Sequence, residues 1–331
     1  MRSTRDELLA TRICDLGLAI EGTALEARVA RLFDDLGRAG LRFRPHVWLS
    51  TDWFTPDGVI GFAIPFFLAH PRLTRLEHRE MFEVEGGGHE GCMKLLRHET
   101  GHAIDNAYRL RRRKRYRELF GSPSMPYRDS YAPRPSTREF VQHLDQWYAQ
   151  SHPVEDFAET FAVWLTPRGS WRRAYAGWPV MTKLDYVDEL MQEVASAAPV
   201  VASRARPDPL SSVKMTLGEY YATKKRHYAR EASRAWDPLL ERLFSTEPDR
   251  HRRRAAAFLR SNREDLRNRV ADLTGQYRYV VDQVLKSLIL RCKENGYWLR
   301  RSEPETRVDA AVTLTVLTMR FLRNGRPEFQ R

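Results

Sequence analysis

Two histidines four residues apart, His98 and His102 in the stretch RHETGHAID at 97–105, constrain this 331-residue chain more than any other feature. Positions four apart on a helix share one face, so both imidazoles reach a common point. Glu99, one residue on, is turned by about 100° around the axis and borders that point without entering it. If the point is a metal ion, two donors from one helix are too few. Catalytic zinc takes three protein ligands and keeps one open position. The chain would then have to fold a third donor from a distant segment against this helix. A random chain of this composition contains His-Glu-x-x-His about once in fifty, so the match needs supporting context.

EDFAE, at 155–159, supplies a candidate. Its helix is expected over 153–165, opened by Pro153 and ended by Thr166-Pro167. Glu155 and Glu159 lie four apart on one face, so one can bind an ion while the other accepts a proton from a ligand histidine. The plainer reading is that Glu155 caps the helix and favours its dipole with no metal present. A further hint is Gly101, which at mid-helix costs about 0.5–1 kcal/mol relative to Ala. Close packing or substrate access would explain it.

HETGH followed by EDFAETFA resembles the gluzincin zinc peptidases, in particular the bacterial zinc-binding metallopeptidases and the lethal factor protease of anthrax toxin. The resemblance spans about 43–171 and is specific at the two motifs. It implies a zincin-like domain holding Zn2+ through His98, His102 and Glu155, with Glu159 as an outer partner of the ligands. Asp105, three residues after the second histidine, also matches the family. The family's oxyanion-stabilising tyrosine, seven residues before the third ligand, carries onto Tyr148, with Tyr127, Tyr131 and His152 as competitors. The implied activity is zinc-dependent hydrolysis of peptide bonds, with Glu99 as general base for the attacking water. Two alternatives stay open: a non-catalytic binding protein on the same scaffold, and a zinc amidase acting on a non-protein amide. A purely structural zinc has no need of Glu99, which weighs against the first.

The chain reads as α+β and predominantly helical, with a small sheet. Helices are expected over 5–38, with a break at Gly22-Thr23 and a stop at Gly40. PHVWLS and VIGFAIPFFLAH, separated by TPDG, predict a hairpin or two sheet strands. Pro65 puts the second at a sheet edge, where 59–64 could receive an extended peptide substrate. EGGGHEG at 85–91 reads as a loop before a helix over 93–110, and His89 is close enough in sequence to swing over the site. A further helix is expected over 180–196 and a linker over 196–212. Long helical segments follow from 249 to about 295 and over 305–324. The division expected is a metallopeptidase domain over 1–200, with N-terminal helices in 1–40 and the sheet and zinc helices in 43–196, then a basic helical region over 201–331.

Charge supports that boundary. Residues 1–201 carry 27 Lys+Arg against 27 Asp+Glu, and 202–331 carry 28 against 16, so the whole excess of +12 lies in the second part. The run YRLRRRKRYREL at 108–119 and the Arg-rich stretch from 251 could meet nucleic acid, but no reader motif accompanies them. Acidic residues interleave in the second stretch, and a solvated helix face is the favoured reading. No apolar run approaches the roughly 18 residues of a membrane span. Three widely spaced cysteines, Cys14, Cys92 and Cys292, argue against a disulfide framework and suggest the cytoplasm.

Overall fold

Thr4 and Glu7 form a reciprocal capping box that starts α1 (Arg5–Leu9), and Thr23 caps α2 (Ala24–Arg38) through Leu25 N. The computed structural model describes residues 4–127, 131, 134, 137–167, 171–228, 236–249 and 251–324. After α2 come β1 (His46–Ser50), β2 (Gly61–Pro65), α3 (Pro71–Met81), α4 (His89–Tyr108), α5 (Lys114–Phe120) and α6 (Pro153–Leu165). Then follow α7 (Trp171–Ala174), α8 (Met181–Val194), α9 (Leu217–Tyr228), α10 (Asp237–Leu243), β3 (Phe244–Ser245), α11 (Ala255–Ser261) and α12 (Arg263–Thr274). α13 (Arg278–Glu294), β4 (Trp298–Leu299) and α14 (Glu303–Asn324) complete the order. The fold is α+β and predominantly helical, as the sequence pattern predicts.

The sheet departs from one of the two expectations. β1 and β2 pair in parallel, His46 with Gly61 through Ser50 with Pro65, so the TPDG segment is a crossover and not a hairpin turn. β2 is buried at every position, and on its side away from β1 the Ala63 N–H goes to Phe54 O. The expected peptide-receiving edge over 59–64 is therefore covered. Pro65, with no N–H to give, closes the strand.

The linker-like segment after 196 is docked rather than free. Trp48 Nε1 donates to Pro207 O, Ser50 Oγ donates to Asp208 O, and Ile60 N donates to Ser203 O. Further on, Ile13 N and Cys14 N donate to Met215 O and Val213 O. A proline has no N–H to donate, but the carbonyls of a proline-containing segment accept from neighbours. These bonds carry the first compact unit on to 219, past the expected boundary at 200. The second unit takes 220–329 together with 79–83.

The second unit has a core of its own, with Leu240, Phe244, Phe258, Leu266, Val284 and Leu314 fully buried. The long helical segment expected over 249–295 is broken at Asn262 and at Gly275, whose φ of 65° ends α12 in the left-handed region. Acidic partners hold much of its basic charge. Arg263 grips the buried Asp282 at 2.8 and 2.6 Å, Arg267 and Lys286 approach the same carboxylate, and Arg291 pairs with Asp237. In the first unit the 108–119 run behaves likewise. Arg113 meets Glu193 at 2.6 and 2.7 Å, and Arg115 reaches Glu189 on α8. Among the described residues no helix is long and apolar enough to cross a membrane.

Gly61 is required by the parallel pairing: a Cβ there would lie 2.2 Å from His46 O and 2.4 Å from His46 Nδ1. Gly61→Ala is expected to destabilise the protein by about 1–3 kcal/mol. A lowered midpoint of urea unfolding with unchanged slope is the readout, and an unshifted midpoint would contradict this packing.

Candidate metal centre

α4 begins at His89, four residues earlier than the pattern suggests, so the expected loop ends at Gly88, the helix N-cap. His89 is exposed and sits nine residues before His98, roughly 13 Å along the axis, so it does not reach the site. The helix ends at Arg109, whose backbone is left-handed with φ 51°. From His98 to Tyr108 every residue is buried, so the histidine face is turned inward by the packing of the whole helix.

The partner of that face is α6. Gly101 is the point of closest approach, where a Cβ would lie 2.8 Å from Ala158 Cα and 3.1 Å from Ala158 O. Close packing is thus the reason for a glycine inside α4. α6 is capped by His152, whose Nδ1 accepts from Val154 N, with Pro153 in the first turn. Glu155 is therefore not the cap, although it lies in the first turn, where the helix dipole favours it. It is fully buried and directed at α4.

Three donor atoms converge there. His98 Nε2 lies 3.1 Å from His102 Nε2, and Glu155 Oε2 is 3.2 Å from each. Ligands about 2.0 Å from a tetrahedral zinc are separated by roughly 3.3 Å, so this near-equilateral triangle is one face of such a tetrahedron. The donor set, two imidazoles and a carboxylate, is one that zinc accepts. Among the described residues this is the group of His, Cys, Asp and Glu side chains placed to hold an ion.

The surroundings fix these groups. His98 Nδ1 donates to Glu159 Oε1 at 2.8 Å, which leaves Nε2 facing the triangle, and Glu159 Oε2 accepts from Leu144 N at 2.8 Å. Burial works against the charged form of His98, but hydrogen bonds to Glu155 and Glu159 outweigh it and raise its pKa to about 10. Burial likewise penalises the Glu155 carboxylate, yet the charge of His102 and hydrogen bonds from both histidines hold it well below the usual range. Glu99 is buried, and Thr55 Oγ1 donates to its Oε2 at 2.8 Å. Thr55 comes from the β1–β2 crossover, which is also tied to α4 by Asn106 Nδ2 donating to Pro56 O and Val59 O.

The other expected site residues divide. Asp105 is buried in α4, and Arg111 occupies both its oxygens through N and Nε at 2.8 and 2.6 Å. Those bonds make it an anchor of the α4 C-terminal turn. The Tyr148 ring lies 5.7 Å from that of His98, centroid to centroid. Tyr127 Oη donates to Glu155 Oε1 at 2.8 Å, and Tyr131 Oη donates to Gln146 O. His152 has both ring nitrogens engaged, Nδ1 by Val154 N and Nε2 by Met125 O, which removes it as a competitor of Tyr148. Thr55 and the Leu144 amide are contacts that no local motif signals. Both belong to irregular segments far from 98–105.

Residues 89–202 match the family model described as "Putative zinc-binding metallo-peptidase". No curated protein and no solved structure matches the chain. The matched span starts at α4 and ends beyond α8, so it includes both helices of the triangle and leaves out the sheet. Family and geometry together support a zinc-binding metallopeptidase, with zinc as cofactor.

Gly101→Ala is expected to push α4 and α6 apart at the contact with Ala158 and to weaken zinc binding by about tenfold or more, since sub-ångström ligand placement governs affinity. Chelator competition measures it, and unchanged affinity would count against the close approach as the cause. Zinc also has to displace the proton that His98 holds below about pH 10. Affinity should therefore rise with pH, by up to tenfold per unit between pH 6 and 8. A pH-independent dissociation constant would contradict the linkage.

Proposed function

We propose that the protein hydrolyses peptide bonds with zinc held by His98, His102 and Glu155, as in the gluzincin peptidases that its motifs resemble. The observation that carries this reading is the 3.1–3.2 Å triangle of donor atoms, with Glu99 next to His98 in the sequence of the same helix. When bound, zinc supplies a Lewis acid that acidifies water toward neutral pH and polarises a substrate carbonyl.

The chain's own residues then move protons and hold charge. Glu99 takes the proton of the attacking water and returns it to the leaving amine, which couples nucleophile formation to departure of the amine. Thr55 holds Oε2 of Glu99, so the base meets substrate in one orientation. Tyr148 donates to the oxyanion of the tetrahedral intermediate. Its placement supports this role: it follows two non-glycine residues in the left-handed region, Gln146 at φ 61° and Trp147 at φ 53°. Such conformations cost of order 1 kcal/mol or more and persist where surrounding structure enforces them. Glu159 bridges His98 and the Leu144 amide, so the carboxylate behind the ligand also anchors the turn leading to Tyr148.

The presence of Glu99 favours hydrolysis over a non-catalytic scaffold, because a metal that only staples helices requires no base. The substrate class is a peptide or protein. Thiols that are all free, Cys14, Cys92 and Cys292, suit a cytoplasmic location.

Glu99→Gln is expected to keep zinc and lower hydrolysis of unfolded protein substrates by at least about a hundredfold. Glu155→Ala should lose both zinc and turnover, and chelator should abolish wild-type turnover reversibly. Undiminished turnover in the zinc-loaded Glu99→Gln protein would refute the assignment of the base.

A further inference from the structure

We infer that Tyr127 is a positioning residue for the metal-binding carboxylate: its phenol secures Glu155 Oε1, so that Oε2 alone is presented to the two imidazoles. The inference rests on the zinc-peptidase reading above and concerns a residue that lies 28 positions before Glu155, outside both metal motifs.

The two oxygens of Glu155 have different surroundings. Oε2 is 3.2 Å from His98 Nε2 and 3.2 Å from His102 Nε2, while Oε1 accepts from Tyr127 Oη at 2.8 Å. The terminal torsion of a glutamate is soft and roughly two-fold, so packing of the chain alone does not decide which oxygen faces the ion. A phenol donating to a carboxylate makes a charge-assisted bond, stronger than a neutral one. It draws Oε1 away from the triangle and opposes two-oxygen chelation. One-oxygen ligation keeps the count at three protein donors and preserves the open position that a catalytic zinc requires.

Tyr127 is itself held in place. Its ring stacks on His152 at 3.8 Å between centroids and 14° between planes. His152 accepts from Val154 N through Nδ1 and donates through Nε2 to Met125 O at 2.6 Å. The cap of α6 thus grips the 125–127 backbone, and that backbone delivers a hydroxyl to a residue in the first turn of the same helix. Tyr127 is 56% exposed, so the contact is made at the solvent-facing side of the site and contributes little to the core.

Tyr127→Phe keeps the ring and its stack on His152 and removes only the hydroxyl. The expected result is a zinc dissociation constant raised about ten- to a hundredfold in chelator competition, the range for loss of an outer partner of a metal ligand. The melting temperature of the metal-free protein should stay unchanged, which a merely structural role would not predict. If wild type binds zinc and Tyr127→Phe binds it equally well, the inference is overturned, whether or not turnover falls. If the metal-free variant melts earlier, Tyr127 is a structural residue and the inference likewise fails. Should wild type itself bind no zinc, the zinc-peptidase reading fails first, and the two failures are thereby distinguished.

Discussion

The contact of Gly101 with Ala158 governs the rest of the site. Helix backbones carrying ordinary side chains pack 8–10 Å apart. A glycine against an alanine removes the intervening side chains, and a Cβ at 101 would already lie 2.8 Å from Ala158 Cα. The cost of a glycine inside a helix, about 0.5–1 kcal/mol, is offset by burial of the whole inner face of α4. The His98–His102–Glu155 triangle follows from that approach together with the i, i+4 geometry of α4.

A site of this kind gathers charge where the protein would otherwise exclude it. His98, His102, Glu155 and Glu159 are all buried. Each carboxylate finds donors: Glu155 among the histidines and Tyr127, Glu159 between His98 and the Leu144 amide. Buried ionised groups are tolerated when paired and hydrogen-bonded, and the two carboxylates are complementary to a divalent cation once the histidines give up their protons. Nearby, Asp105 is neutralised by Arg111, and that arginine also reaches Asp57 in the β1–β2 crossover. The segment that delivers Thr55 to Glu99 is therefore tied to the end of the helix bearing Glu99.

The same logic gives acidic partners to several arginines of the basic runs that the sequence displays. Arginines at 113 and 115 lie over the acidic row of α8, and those of the second unit converge on Asp282 and Asp237. Runs of one sign in a linear sequence carry no information about the opposite sign arriving from another helix.

Several features are legible from local physics alone. The i, i+4 histidines, the Pro153 start of α6 and the inward pair Glu155 and Glu159 all follow from helical periodicity and capping, because each depends on residues within a turn or two of itself. The cost of Gly101 inside a helix likewise points to a close contact, without saying with what. Periodicity does not tell a parallel crossover from a hairpin, because the β1–β2 pairing depends on bonds between segments and not on the strands themselves. Nor does it show that carbonyls over 203–215 dock as acceptors, or that Arg111 takes Asp105. It does not rank Tyr127, Tyr131, Tyr148 and His152 either, since all lie in irregular stretches whose direction is set by distant partners. Which side chains can share a helical face is thus written in the linear order of residues, through the fixed pitch of the helix. Which faces meet is settled by folding, because that depends on side-chain volume and hydrogen bonds between residues dozens of positions apart.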